Sequence, residues 1–393
     1  MNGKERVLLA MQHLEPDRVP VMCQLSLGHY FLNCGLAPHE IWFTSEGFAE
    51  ALVKLQERYQ FDGILVNLPG RPRNVLEQIK SVEKTPEAEL VTWRNGHVTF
   101  MPGDDNPQCV YSAQPELQPR ADFSKIQPDH LENIDQYPGY VWNTYHVPYL
   151  DGKQDPGPLH EVPEYFLDTI DAVRARVDNT VSVHGEVFSP FTHYLELFGY
   201  QNALIGLVED MGKAKAILDR LTDASVAWAI AQARHGVDAV LISSAFAGAG
   251  FISAAMYEDC VVPFERRVAE AVKAEGAVVY THTCGKIGDR LELMEATGTM
   301  GIDTLDPPPL GDVELSEAKQ GIGSRLFLKG NMNSVSLLEY TTEEQVIAEA
   351  STCLQIGKVG GGYILSSACS IAPGVEPWKI ELLVPLAEEL GRY

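Results

Sequence analysis

The stretch Ala277–Asp306, AVVYTHTCGKIGDRLELMEATGTMGIDTLD, decides the fold. It opens on a short β-branched run, AVVYT, passes through helical material, IGDRLELMEATG, and ends on a second run, IDTL. That is one strand–helix–strand unit. Downstream the same alternation continues with VELSEAKQG, then RLFLKG (Arg325–Gly330), TEEQVIAEASTCLQIG, GYILS (Gly362–Ser366) and WKIELLVPLAEELG. Upstream it is preceded by AVLIS (Ala239–Ser243) with a helix over Ala254–Glu275, and by TVSVH (Thr180–His184) with helical material through Gly236. Two further strands are read at RVPVM (Arg18–Met22) and GILVN (Gly63–Asn67), with a helix near Ser45–Tyr59. The N-terminus reads as a short helix with Val7, Leu8, Met11 and Leu14 on one face.

Eight strand–helix units are what a closed parallel barrel needs. An open doubly wound sheet also alternates, but it wants a Gly-rich phosphate turn after its first strand, and Val21-Met22-Cys23-Gln24 offers none. The expected fold is therefore α/β, a (β/α)8 TIM barrel in one domain over 1–393. Residues 71–161, rich in Pro, Asp and Gln, break the alternation and read as an insertion between strands two and three, over the barrel mouth. Within it LVTWRNGHVTF reads as a β-hairpin with Asn95-Gly96 in a type I′ turn. Trp93, Phe100, Trp142 and Tyr145 either line a substrate pocket there or pack the insertion onto the barrel.

Composition narrows the function. The formal charge is −24, spread along the chain, which would repel a phosphate backbone and argues against nucleic acid as a partner. No run of 18 or more apolar residues suggests a membrane span, and the charged N-terminus does not resemble a secretory signal. Seven scattered cysteines do not form a disulfide framework. A cytoplasmic setting is expected.

Barrels of this kind carry their chemistry at the C-terminal ends of the strands. Those ends place Gln24, Asn67, Glu186, Ser243, His282, Cys284, Asp306, Asn331, Asn333 and Cys369 on one face. The sharpest feature is Thr281-His282-Thr283-Cys284-Gly285, because residues two apart in an extended strand end point the same way. With Cys369 at another strand end, His282 and Cys284 form an imidazole–dithiolate set suited to Zn²⁺, leaving a coordination place for substrate. Asp306 is either a fourth, displaceable ligand or a cap for the Pro307-Pro308-Pro309 turn. Glu186 is either a charged group of the site or a salt-bridged surface residue. Gln24 and Asn67 stand at strand ends as candidate substrate contacts. Asn331 and Asn333 either donate to a ligand or satisfy the turn after strand seven.

Several segments resemble the uroporphyrinogen decarboxylase superfamily: RVLLAMQHLEPDRVPVM, GEVFSPFTHYLELFGYQNAL, AVVYTHTCGKI, GIDTLDPPP, LFLKGNMNSV and YILSSACSIAPG. The resemblance runs over nearly the whole chain and implies a (β/α)8 barrel. True decarboxylases of the superfamily carry Arg-Gln-Ala-Gly-Arg after the first strand to hold propionates, whereas this chain reads Cys23-Gln24-Leu25-Ser26-Leu27-Gly28-His29. Their last strand leads to a histidine, and here it leads to Cys369. The chain is more similar to the branch of corrinoid-dependent methyltransferases, whose thiol-methylating members bind zinc through a His-x-Cys … Cys motif matched by His282, Cys284 and Cys369. Cobalamin-independent methionine synthase adds a Glu ligand to a similar set. Here Asp306 lies near the expected place, and Pro308 occupies the superfamily's acidic position.

The resemblance implies a zinc-dependent methyltransferase moving a methyl group between a small methylated molecule, such as an O-methyl aromatic, and a corrinoid (cobalamin) carried by a partner protein. Trp93, Trp142 and Tyr145 would suit a flat methoxylated ring. The alternatives are a methylcorrinoid:thiol methyltransferase, a uroporphyrinogen decarboxylase-like lyase, and a non-catalytic zinc-binding barrel.

Overall fold

The computed structural model describes residues 1–110, 121–131 and 161–393. In chain order the strands are β1 (Gly63–Val66), β2 (Ile79–Lys84), β3 (Ala88–Trp93), β4 (Val98–Pro102), β5 (Gln108–Val110), β6 (Ser182–Phe188), β7 (Ala239–Ser243), β8 (Val278–His282), β9 (Gly301–Thr304), β10 (Phe327–Met332) and β11 (Tyr363–Ser367). Seven of them form one parallel sheet in the order β1-β6-β7-β8-β9-β10-β11, with helices in the connections. β2 to β5 form a separate antiparallel sheet, lying between β1 and β6 in the chain. Among the described residues no helix is long and apolar enough to cross a membrane.

The expected first strand, Arg18–Met22, is not a regular strand. Val21 and Leu25 make isolated parallel bridges to Leu365 and Ile371, while the Asp62 N–H donates to Val21 O at 2.8 Å. Pro20 has no N–H to give, so it interrupts a ladder that its carbonyl still joins by accepting from Leu365 N–H. The stretch thus links the two edges of the seven-stranded sheet. Asp62 fastens this seam from a buried position: it accepts from Arg18 Nη1 at 2.7 Å and from the Val21 N–H at 2.8 Å.

Other boundaries shift for equally local reasons. β6 begins two residues later than expected and runs on to Phe188, because Gly185 lets the helix Met211–Arg234 approach. A Cβ there would sit 1.8 Å from the Gln232 amide oxygen, and Gln232 Nε2 donates to Glu186 O. The single helix expected over Ala254–Glu275 is two, Ala254–Cys260 and Val262–Ala274, since Pro263 cannot donate an intrahelical bond. The β3–β4 hairpin turns with a Gly96 N–H to Trp93 O bond, and Gly96 has φ +92° while Asn95 is not left-handed. A type I′ turn needs positive φ at both central residues, so this is a turn closed by a left-handed glycine.

The barrel interior grades from apolar to polar. At its N-terminal end Leu65, Leu241, Tyr280, Phe327 and Ile364 pack with Met22 against Val7, Ala10 and Met11 of the helix Gly3–Met11. Leu14, expected on that face, lies past the helix end and is exposed. Because side chains alternate along a strand, the residues two further on also point inward: Ser243, His282, Lys329 and Ser366.

Replacing Asp62 by Ala should lower the free energy of unfolding by about 3–5 kcal/mol, since it leaves the buried Arg18 unpaired. Chemical denaturation measures this. A loss within experimental scatter would show that the seam does not depend on Asp62.

Candidate metal centre

β8 delivers His282 at its last position, and Cys284 follows two residues on, facing the same way. Cys369 comes from the turn after β11. His282 Nε2 stands 3.2 Å from Cys284 Sγ, and the two sulfurs are 3.6 Å apart. One donor atom from each of the three residues lies within 4.8 Å of the others. Tetrahedral zinc, with bonds of about 2.3 Å to sulfur and 2.0–2.1 Å to nitrogen, would separate its donors by roughly 3.6–3.8 Å. The trio therefore fits a zinc ion with little rearrangement. Among the described residues no fourth His, Cys, Asp or Glu joins the cluster.

Behind His282 lies a buried charged pair that the sequence reading did not single out. Asp303 is the register neighbour of His282 on one side and of Lys329 on the other. It accepts from Lys329 Nζ at 2.8 Å and faces His282 Nδ1 at 3.1 Å. With Nδ1 turned to the carboxylate, Nε2 is the nitrogen that faces the thiols and that a bound metal would take. Burial works against the Asp303 charge, but Lys329 and His282 outweigh it and hold the carboxyl down at about 2. Burial likewise opposes charge on His282, yet Asp303 and Cys369 lift it to about 10. Hydrogen bonding from Cys284, and then from His282, pulls the Cys369 thiol well below its ordinary value, while Cys284 is pushed up.

The chain bends sharply after β9. Thr304 and Leu305 both have positive φ, at 93° and 59°, a costly conformation for a β-branched residue. The bend aims Asp303 inward and returns Asp306 towards the His282–Cys284–Cys369 cluster, where its Oδ2 accepts from Gly285 N–H at 2.6 Å. Asp306 supports the loop that carries Cys284 and is not part of the ligand cluster. Burial raises its carboxyl to about 6, against the pull of the Gly285 amide.

A cavity of about 230 Å³ opens beside the trio, and Gln24, Asn67, Glu186, His282, Cys284 and Cys369 all line it. Burial lifts the Glu186 carboxyl to about 7. Asn106, which follows β4, reaches the same cavity. Asn331 and Asn333 have structural duties instead: Asn331 Nδ2 donates to Leu305 O, and Asn333 caps the helix Ser334–Glu339 and donates to Pro308 O. Trp93 is not a pocket residue. It is fully buried edge-on against Phe43, with its indole N–H donating to Thr99 Oγ1. Trp142 and Tyr145 lie outside the described residues.

Fold and site together define a class: a parallel α/β protein with a three-donor His–Cys–Cys cluster beside a cavity at the C-terminal ends of its strands. The chain belongs to the uroporphyrinogen decarboxylase (URO-D) family, whose sequence profile matches residues 149–390. It is 27% identical to a methylated-thiol--coenzyme M methyltransferase of Methanosarcina mazei over 258 residues, 65% of this chain and 65% of that protein's length. It is 28% identical to a uroporphyrinogen decarboxylase of Chlorobium phaeovibrioides over 250 residues, covering 60% of this chain and 68% of the relative. A methylcobamide:CoM methyltransferase, MtbA of Methanosarcina mazei, is 25% identical over 389 residues, 98% of this chain and 97% of the relative. A solved structure described as a methyltransferase from Methanosarcina mazei shares the fold, with a TM-score of 0.69 at 19% identity over 99% of each chain.

Elemental analysis should find that Cys284→Ser and Cys369→Ser each lose most of their zinc. Full occupancy in both would refute the ligand assignment. Asp303→Asn, which removes the partner of His282 Nδ1, should weaken zinc binding by about 10–100-fold in a chelator competition.

Proposed function

We propose that this protein is an enzyme that binds one zinc ion through His282, Cys284 and Cys369 and transfers a methyl group between a small molecule and a corrinoid carried by a separate protein. The observation that carries this reading is the three-donor cluster with no fourth protein ligand among the described residues, set beside a cavity. Structural zinc sites are usually closed by four protein ligands, whereas catalytic sites keep a place open. That distinction favours an enzyme over a non-catalytic zinc barrel.

When bound, zinc would favour the thiolate form of a coordinated thiol or draw charge from the heteroatom of a methyl donor. The protein's own part is positional. Asp303 fixes the imidazole, Asp306 and the Gly285 amide fix the Cys284 loop, and Gln24, Asn67 and Glu186 face the rest of the bound molecule. In transfer to the corrinoid, the departing heteroatom keeps the electron pair of its bond to methyl, and reduced cobalt supplies the pair for the new bond.

Relatives bearing methyltransferase names support the class. A decarboxylase-like lyase is less well served, since the described cavity lining holds no lysine or arginine for propionates. Methylation of a thiol is the second reading, favoured by the name of the methylated-thiol relative. An O-methyl aromatic donor would rely on Phe188, a ring lining the cavity, since Trp93 offers none. Phe251, Leu310 and Leu338, on the connections after β7, β9 and β10, are exposed apolar residues on the segments that follow strand C-terminal ends, where a partner would dock.

Purified protein incubated with reduced cobalamin and a panel of methyl ethers, methylamines and methyl thioethers should produce the methylcobalamin absorption with at least one donor. Failing that, it should consume methylcobalamin in the presence of thiols. In either case Cys284→Ser should abolish the reaction. Activity in neither direction, with zinc bound, would overturn the methyltransferase reading. Cross-linking to a corrinoid protein should map to the strand C-terminal face, and contacts confined to the opposite face would exclude the proposed transfer.

A further inference from the structure

Part of the cavity lining carries buried oxygens that lack a partner in the protein. Gln24 Oε1, Ser26 Oγ, Asn67 Oδ1 and Glu186 Oε2 are shielded from solvent and have no hydrogen-bond partner in the protein, and all four residues line the cavity. They come from neighbouring staves: the stretch at Gln24 and Ser26, the residue after β1, and β6. The metal ligands come from β8 and the turn after β11. In the strand order the Gln24–Ser26 stretch lies next to β11, which leads to Cys369, and β6 stands two strands from β8, so these groups surround the same cavity as the metal ligands.

Shielded polar atoms without partners cost free energy unless a ligand or water satisfies them. The amides of Gln24 and Asn67 can turn to present oxygen or nitrogen, but a carboxylate can only accept. In its ionised form, above about pH 7, Glu186 therefore makes this part of the lining an acceptor. The remaining charges do not reverse it. Two thiolates would balance a divalent ion, Lys329 is paired with Asp303, and the described lining contains no lysine or arginine.

We infer that the small molecule bound here is neutral or positively charged and carries a hydroxyl or amino donor besides the atom that meets the metal, which Glu186 receives together with Gln24, Ser26 and Asn67. Anionic molecules of the same size, such as sulfonates and carboxylates, are disfavoured. Glu186 and its neighbours are then specificity determinants, separate from the groups that hold the metal. The inference rests on the reading of His282, Cys284 and Cys369 as metal ligands and does not depend on a corrinoid.

The test uses four thiols of similar length on the full-length protein loaded with Co²⁺ in mildly alkaline buffer. They are 2-mercaptoethylamine, 2-mercaptoethanol, ethanethiol and 2-mercaptoethanesulfonate, each titrated while the cobalt–sulfur absorption is followed. The amine should bind tightest, the alcohol should bind better than ethanethiol, and the sulfonate should bind at least about tenfold more weakly than the amine, the effect of a single charge-assisted hydrogen bond. Glu186→Gln should collapse the amine–sulfonate preference, and Asn67→Ala should reduce the alcohol's advantage over ethanethiol. Sulfonate binding as tight as the amine's, or preferences unchanged in both variants, would overturn the inference and leave the metal centre standing. If no thiol altered the absorption of the cobalt-loaded protein, the open-site reading would fall and the inference with it.

Discussion

The site depends on one buried carboxylate. Asp303 sits between His282 and Lys329 as their cross-strand neighbour, almost wholly removed from water. An isolated charge in that position would cost several kcal/mol. It is tolerated because a buried ammonium lies 2.8 Å from one oxygen and the imidazole faces the other. The same arrangement decides which imidazole nitrogen is free, and so whether His282 can join Cys284 and Cys369 at all. The left-handed bend at Thr304–Leu305 belongs to this constraint. It stores backbone strain directly beside the groups that must be held in place.

Alternation along the strands explains how so much polar chemistry is kept inside a folded chain. Apolar side chains fill the lower interior, with His184 and Tyr280 hydrogen-bonded to one another at 2.9 Å just above. The next inward positions carry the Asp303–Lys329 pair, and the uppermost carry the thiols and the cavity. Each polar layer therefore has a neighbour of suitable chemistry beneath it, and the ligand trio is seated on a rigid sheet.

Much of this was legible in the sequence. β7 was read to the residue, and β1, β8, β9, β10 and β11 to within about two residues, because short β-branched runs bounded by helical material leave little freedom. The His282–Cys284 spacing and the strand-end position of Cys369 already bring the trio together in the sequence. The irregular first stave was missed because RVPVM has strand composition, and only Pro20 signals that its ladder is broken. Asp303 and Lys329 do not stand out in the sequence because both lie inside strands and not at the strand ends where barrel chemistry is expected. A charged residue in the apolar runs IDTL and RLFLKG was the available signal. For Trp93 the choice between lining a pocket and packing the insertion stayed open in the sequence, because an aromatic in a hairpin carries no information about which side it packs on. Asn331 and Asn333 face backbone carbonyls and a helix start, a distinction that depends on tertiary geometry.

The helix Gly3–Met11 closes the lower end of the barrel, where Val7 and Ala10 are wholly excluded from solvent. The cavity therefore lies on the strand C-terminal side of a floor packed with Leu65, Leu241, Tyr280, Phe327 and Ile364. Tyr280 belongs to that floor and His282 to the cluster, two residues apart on one strand. A bulkier side chain forced into the floor would therefore be felt at the cluster, although it touched none of the three donors.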